Sequence, residues 1–354
     1  MTKRTFSEAK GAMFDRPPGQ MSEAERIDIV KRFKVSIPRA NKVLQAMGEC
    51  LDSYDGRTPP DHILILGESR LGKTTICETF EKMHPPIITD TDNHIKVLRV
   101  LTPAPATIHS LISETLHKLG DPKAYSSGKI DKKTQRLVDF LLALKVEIIL
   151  FDEFQHFEDV RKGTPMKDVV NWLKNLMNRV PIPMVLVGLP HSEQAVLDDD
   201  QLNNRISERI VLKEFKWEKK SNKAEFKRLL LEIDKCLPFD DEIGLSIGNM
   251  PLCFNIASKG VLGHLTKLIR KAAIKEIKAG EQTIHMETLT TVWEKSIKAS
   301  IGDIPSPFLL DNDFYEDGQI YTQVRTNSTK KGENNRWSPK KRKTPISQLL
   351  KRNG

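Results

Sequence analysis

The chain of 354 residues is poor in aromatic side chains, at 6%, and holds only four cysteines. Cys50, Cys77, Cys236 and Cys253 form no C-x-x-C pair and have no close histidine spacing. That pattern argues against a zinc site and against a disulfide framework. Sparse, unpaired cysteines fit a reducing compartment, and Cys77 reads as a small buried hydrophobe. No apolar run approaches the length of a membrane span, and the opening MTKRTFSEAK lacks the apolar core of a signal peptide. A soluble, cytoplasmic protein with no membrane partner is the expectation. Most of the chain also lacks excess charge of either sign. The formal net charge is +9, and residues 322–354 account for all of it, with ten Lys and Arg against Glu333 alone. Any nucleic-acid site in residues 1–321 must therefore come from local clustering.

The clearest motif lies at residues 61–80, DHILILGESRLGKTTICETF. Ile63 to Leu66 reads as a buried strand. Gly67, Glu68, Ser69, Arg70, Leu71, Gly72, Lys73, Thr74 and Thr75 then spell G-x-x-x-x-G-K-T and one residue more, a phosphate-binding loop between a strand and a helix. Glycines let the backbone turn and aim successive N–H groups at phosphate oxygens, beside the positive end of the new helix. Lys73 supplies a charge for β- and γ-phosphates, and Thr74 a hydroxyl for Mg²⁺. The alternative, a glycine-rich turn that binds nothing, leaves Lys73 at the mouth of an anion hole without an anion.

Residues 146–157, VEIILFDEFQHF, supply a second signal. Val146 to Phe151 is a buried strand that ends at Asp152 and Glu153, the end where α/β sheets place ligands. Asp152 fits a carboxylate that holds Mg²⁺, and Glu153 a base that orients and deprotonates an attacking water. Two solvated carboxylates at a strand end are the plainer alternative. No further motif points to a GTPase, an ABC transporter or a superfamily helicase.

Periodicity orders the rest. Residues 1–21 are polar with a Pro-Pro-Gly turn. Residues 22–60 form a helical extension, opened by the capping-box spacing of Ser22 and Glu25 and continued by a helix from Pro38. Residues 61–217 alternate strands and helices. Predicted strands cover Ile95 to Leu101 and Pro183 to Gly188, and predicted helices run from Ile108, over Leu137 to Leu144, and over Thr164 to Val180. The polar segment 198–213 is expected to precede a further strand. Residues 218–302 read as an all-helical lid, and 303–354 as a basic tail without periodicity. The fold class is α/β, a nucleotide-binding domain with a parallel sheet flanked by helices and followed by a small helical domain.

The order of motifs resembles the AAA+ ATPases with their P-loop NTPase fold. More narrowly, residues 37–301 resemble the TniB/TnsC family, transposition regulators of Tn-type transposons, including CRISPR-associated ones. The markers are IPRANKVLQAM, LILGESRLGKTTICETFEKMHPP, ILFDEFQHF, PMVLVGLP, and DDDQLNNRI followed by Lys216-Trp217. The resemblance implies ATP and Mg²⁺ as cofactors and ATP hydrolysis to ADP and phosphate, and two departures from the family pattern, after PMVLVG and in the lid, point to slow hydrolysis. It implies self-assembly into rings or filaments on duplex DNA without sequence preference. It also implies a role in linking a target-selection protein or RNA-guided complex to a transposase, with hydrolysis controlling disassembly. A non-catalytic ATP-gated DNA scaffold and a helicase-loader-like or signalling AAA+ ATPase are the rival readings.

Arg205 matches the arginine that reaches a neighbouring subunit's γ-phosphate, with Arg209 as the other candidate. A surface salt bridge is the alternative for both. The family's polar residue after the strand PMVLVG is Leu189 here, so His191 or Ser192 would have to replace it. The place of the lid's sensor arginine falls near Gly263 and His264, with Arg270 two turns on. Lys118, Lys123, Lys129, Lys132 and Lys133 are the candidate DNA-backbone contacts, with a solvated basic loop as the alternative. The tail, PKKRKTPISQLLKRNG, joins a basic cluster to Ile346, Leu349 and Leu350 and reads as a docking peptide for the transposase or as a disordered solubilising tail.

Overall fold

The computed structural model describes residues 14, 16–35, 37–55, 58–89, 93–104, 106–157 and 166–309. The tail expected to dock on the transposase and the first thirteen residues lie outside this range. The chain divides into two compact units, one of residues 39–213 and one that joins 1–38 to 214–354. The first helix, α1 (Glu23–Arg32), belongs to the second of these. Ser22 caps it with both halves of the expected capping box, Ser22 Oγ accepting from Glu25 N–H and Glu25 accepting from Ser22 N–H. Helix α2 (Pro38–Asp52) opens the α/β unit. Residues 22–60, expected as one extension, are thus divided between the units.

In the α/β unit, β1 (His62–Gly67) is buried along its whole length, as an apolar run in a parallel sheet requires. It leads into α3 (Lys73–Met83). A two-residue pair follows, β2 (Ile87–Ile88) with β3 (Asn93–His94), antiparallel and outside the main sheet. Strand β4 (Val97–Leu101), helices α4 (Ile108–Lys118) and α5 (Ile130–Ala143), and β5 (Ile148–Asp152) come next. Then come α6 (Met166–Arg179), β6 (Met184–Gly188), short helices α7 (Ser192–Leu197) and α8 (Asp200–Asn203), and β7 (Ile206–Leu212). The five-stranded sheet has the order β4-β5-β6-β1-β7, parallel throughout. Strand β6 lies between β1 and β5, so the strand leading to the glycine loop and the strand ending in Asp152 are not direct neighbours.

The structure corrects two segments. Residues 198–213 contain β7 itself rather than a polar lead-in to it. Their alternation is weak because β7 is an edge strand, and Glu208 and Arg209 occupy positions that a buried strand would fill with apolar residues. Helix α5 begins at Ile130, seven residues before the expected start, because its first two turns carry a mostly polar face with Asp131 in the first turn.

Two close approaches set the sheet's geometry. Gly67 lies so near β7 that a Cβ there would be 2.9 Å from the Leu212 carbonyl oxygen. His62, 2% exposed, accepts a hydrogen bond from Met184 N–H through Nδ1 at 3.0 Å. Burial, with the charge of Arg205 adding to it, pushes the His62 pKa down to about 4. Cys77 is 1% exposed under α3, the small buried hydrophobe expected.

The helical unit comprises α1, α9 (Lys220–Cys236), α10 (Met250–Ser258), α11 (Leu262–Lys278), α12 (Met286–Ser296) and α13 (Lys298–Ile301). The stripe Phe226, Leu229, Leu230 and Ile233 is buried as expected. Trp293 fills the core and donates from Nε1 to the Ala257 carbonyl at 2.9 Å. Helix α1 packs on α11. Arg26 donates to the Pro238 carbonyl at 2.9 Å and lies over the Phe239 ring. Among the described residues no helix is long and apolar enough to cross a membrane.

Candidate active site

The sequence from Gly67 to Thr75 forms the turn between β1 and α3. Arg70 has φ 67° and Gly72 φ 96°, left-handed conformations that fold the loop back on itself. Gly72 is the N-cap of α3 and provides no side-chain cap. The first-turn N–H groups of α3 are thereby left for an external acceptor. Leu71 is buried and anchors the loop to the core. Glu68, Ser69, Arg70 and Thr75 are exposed.

Lys73 is buried, and its ammonium donates to the carbonyls of Gly67 at 2.6 Å and Glu68 at 3.0 Å. Burial lowers its pKa, while Glu153, Asp152 and Glu68 act to raise it. A buried ammonium held by neutral carbonyls, with two carboxylates nearby, is a cation suited to an anionic ligand.

Asp152 and Glu153 lie at the C-terminal end of β5, as the sequence predicts. The hydroxyl of Thr74 is 3.4 Å from Asp152 Oδ1 and 3.4 Å from Glu153 Oε1. Asp152 is fully buried, and burial raises its pKa, reinforced by Glu153 and opposed by Thr74, Arg99 and the Glu153 N–H. Glu153 takes φ 58°, a left-handed conformation that is uncommon for a non-glycine residue and is found at sites where function demands it. Its backbone N–H donates to Asp152 Oδ1 at 3.0 Å. One hydroxyl and one carboxylate suit Mg²⁺, which takes few protein ligands and completes its shell with phosphate oxygens and water. Among the described residues no cluster of three His, Cys, Asp or Glu could hold a metal by itself.

Three residues of this region have no role assigned by the sequence motifs, although Gln155 lies within ILFDEFQHF. Gln155 Nε2 donates to Glu153 Oε2. Among the described residues, its own Oε1 and the hydroxyl of Ser192 are buried without a hydrogen-bond partner. Both lie within reach of a single point, Ser192 Oγ 3.1 Å and Gln155 Oε1 3.4 Å from where a Cβ on Gly188 would sit. Ser192, one of the two expected replacements for a polar residue after β6, is therefore at the end of that strand. Thr102, after β4, is the second unmarked residue. Its hydroxyl is likewise buried without a partner among the described residues, and its N–H donates to the Asp152 carbonyl at 2.8 Å. The third is Arg99 on β4, which donates to Asp152 Oδ2 at 3.3 Å. A lone cation within IKVLRVL is the one signal that could have found it.

Arg205 and Arg209 flank the start of β7. Arg205 donates to Asn178 Oδ1 at 2.7 Å, and Arg209 to Asn203 Oδ1. Neither forms an ion pair with a carboxylate among the described residues.

The five lysines do not form one surface. Lys133 is buried and donates to Ser113 Oγ at 2.6 Å, which corrects its assignment as an exposed contact. Its place on α5, one turn from the N-cap Lys129, turns it inward with Thr134 and Leu137. Lys118 is paired with Glu81 at 2.5 Å. Lys123, Lys129 and Lys132 are exposed. In the helical unit, Arg270 donates to the Phe33 carbonyl at 2.7 Å and stacks on the Phe33 ring, so its guanidinium is engaged within that unit.

Residues 26–218 match a family model described as bacterial TniB protein. Among solved structures, the chain is similar to the Aeropyrum pernix ORC2 protein in ADPNP–ADP complexes, with TM-score 0.55, 14% identity, and coverage of 77% of this chain and 73% of that one. The Pyrobaculum aerophilum Cdc6p has TM-score 0.55 at 13% identity, covering 76% and 70%. The Aeropyrum pernix ORC1 protein in complex with DNA has TM-score 0.55 at 14% identity, covering 74% and 66%. At such identities the likeness shows the fold alone, which is the AAA+ P-loop fold expected from the motif order. No curated protein sequence matches the chain at a significant level.

Proposed function

The chain belongs to the TniB family of transposition-related AAA+ proteins, and on that premise we propose that it is an ATPase that assembles on duplex DNA and reports, through its assembly state, whether ATP is still bound. The observation that carries the reading is the convergence of Thr74, Asp152 and Glu153 within 3.4 Å beside the buried ammonium of Lys73. The reaction is ATP + H₂O to ADP + phosphate. Lys73 and the first-turn N–H groups of α3 hold the β- and γ-phosphate oxygens. Thr74 Oγ1 and Asp152 would hold Mg²⁺, which would neutralise phosphate charge. Glu153 orients water and takes its proton. Arg205 of one subunit, with Arg209 as the other candidate, faces the γ-phosphate of the next subunit and stabilises charge in the transition state.

Turnover is slow. Gln155 holds one oxygen of Glu153, and Arg270, the remaining arginine near the expected sensor position, is engaged by Phe33. Slow hydrolysis suits a timer for disassembly better than a motor. DNA is held through its backbone by Lys123, Lys129 and Lys132, with Lys118 joining if it exchanges Glu81 for phosphate. The transposase and a target-selection protein or RNA-guided complex are the partners, the former docking on the basic tail in the cytoplasm.

Phosphate release with and without DNA, for the unmodified protein and for Glu153→Gln, tests this reading. Release that is stimulated by DNA and lost in Glu153→Gln supports it. Nucleotide binding with no release in either protein favours a non-catalytic scaffold. Electron microscopy with an ATP analogue and duplex DNA tests the assembly.

A further inference from the structure

We infer that Arg99 is a positioning residue for the hydrolysis proposed above: its bond to Oδ2 of Asp152 aims Oδ1 at Thr74, where the two groups share a divalent cation. The inference rests on the nucleotide-site reading and adds a residue to it.

An arginine in the middle of a parallel-sheet strand is costly. The neighbours Leu98 and Val100 are buried in the apolar core on the opposite face of β4, as alternation requires. Arg99 faces α3, the helix that carries Lys73 and Thr74. Its three nitrogens reach three different carboxylates. Nε donates to Glu81 Oε2 at 3.1 Å, Nη1 to Asp152 Oδ2 at 3.3 Å, and Nη2 lies 4.0 Å from Glu78 Oε1. Glu81 is held in turn by Lys118 at 2.5 Å. The guanidinium thus ties two side chains of α3 to the end of β5. It fixes the spacing between the helix that bears Thr74 and the strand that bears Asp152.

The orientation of Asp152 follows from this. Its Oδ1 accepts the Glu153 N–H at 3.0 Å and faces Thr74 Oγ1 at 3.4 Å, while Oδ2 is given to Arg99. Among the described residues Arg99 is the one cation within ion-pair distance of this fully buried carboxylate. Removing one partner of a buried pair leaves the other uncompensated and free to turn. Arg99 bonds Oδ2, not the Oδ1 that lies 3.4 Å from Thr74 Oγ1.

The inference predicts a selective defect. Arg99→Gln weakens Mg²⁺-dependent binding of a fluorescent ATP analogue, raising the Mg²⁺ half-saturation about tenfold, which is about 1.4 kcal/mol. Binding of the analogue in EDTA, which reports Lys73 and the loop, stays within about twofold. Arg99→Lys recovers part of the shift, because an ammonium keeps the charge but not the three-way fork. Glu81→Gln, which loosens Arg99 without touching Asp152, shifts the half-saturation in the same direction by less. Thermal unfolding of each variant reports whether it folds, and Glu81→Gln keeps the test alive if Arg99→Gln does not.

An unchanged or tighter Mg²⁺ half-saturation in a folded Arg99→Gln overturns the inference, the tighter case showing that Arg99 competes with the cation. A shift that lysine leaves undiminished overturns it as well. Equal binding of the analogue with Mg²⁺ and in EDTA overturns this inference and leaves the nucleotide site standing, whereas no binding in either condition overturns the nucleotide-site reading.

Discussion

His62 at the start of β1 accepts the backbone N–H of Met184 at the start of β6, across 3.0 Å in a buried site. The bond requires an unprotonated Nδ1. With the folded pKa near 4 against about 6.5 for a free imidazole, the unfolded chain binds more protons between those values. Stability from this group is complete above about pH 6.5 and is lost as the pH falls toward 4. The loss amounts to roughly 3 kcal/mol. Urea unfolding at pH 7.5, 6.0 and 5.0 should show it, with a shallower dependence in His62→Gln. Equal pH slopes in the two proteins would refute the assignment.

Gly67 is required by its neighbour. A Cβ at this position meets the Leu212 carbonyl oxygen at 2.9 Å and the Leu212 Cβ at 3.0 Å. Gly67→Ala should force β1 and β7 apart and cost about 1–3 kcal/mol. It should also shift the glycine loop, so nucleotide affinity falls along with the unfolding temperature. A variant as stable as the parent would show that the strands move apart at no cost.

Asp234 organises the helical unit. Its carboxylate is buried and accepts three backbone N–H groups, from Ile243 at 2.9 Å, Gly244 at 2.8 Å and Leu245 at 2.9 Å. Asp234→Ala leaves three donors unsatisfied and should destabilise the protein by about 3–5 kcal/mol. Asp234→Asn, which keeps one acceptor oxygen, should cost less. Chemical denaturation ranks the two, and a reversed order would contradict this account.

The lysines separate by exposure. Lys129→Gln with Lys132→Gln should weaken duplex binding and lower the slope of log K against log salt by about 0.9 for each phosphate no longer neutralised. Lys133→Gln should leave that slope unchanged, because its ammonium is buried on Ser113. Fluorescence anisotropy at several salt concentrations measures both. A change in slope for Lys133 alone would place the DNA elsewhere on α5.

Arg205 is expected to act on a neighbouring subunit. Lys73→Ala and Arg205→Ala should each be inactive alone, and mixing them should restore part of the phosphate release. The mixed oligomer then contains sites with an intact lysine and an intact arginine from different chains. If mixing restores nothing while Lys73→Ala with Arg209→Ala does, Arg209 holds the role.

The glycine loop and the Asp-Glu pair are legible in the sequence because each is a local pattern. A run of apolar residues ending at a glycine or a carboxylate specifies both its own conformation and the side chains it presents. Strand β7 is harder to read. Its burial alternates with exposure because it lies at an edge, and that position depends on pairing with β1, 144 residues earlier by the register His62 with Ile206. Lys133 misleads because a lysine among lysines looks solvated, and only packing against Ser113 on α4 turns it inward.

By itself, the sequence determined the class of fold, the loop from Gly67 to Thr75 and the acids Asp152 and Glu153. These follow from nearest-neighbour chemistry along the chain. The tertiary structure decided the strand order that sets β6 between β1 and β5. It also decided which lysines reach solvent and which cation faces Asp152. Arg99 lies fifty-three residues from Asp152 in the chain, and only parallel pairing of β4 with β5 brings them within 3.3 Å. Pairings of that kind have no local signature, because they depend on where a side chain is placed and not on what surrounds it in sequence.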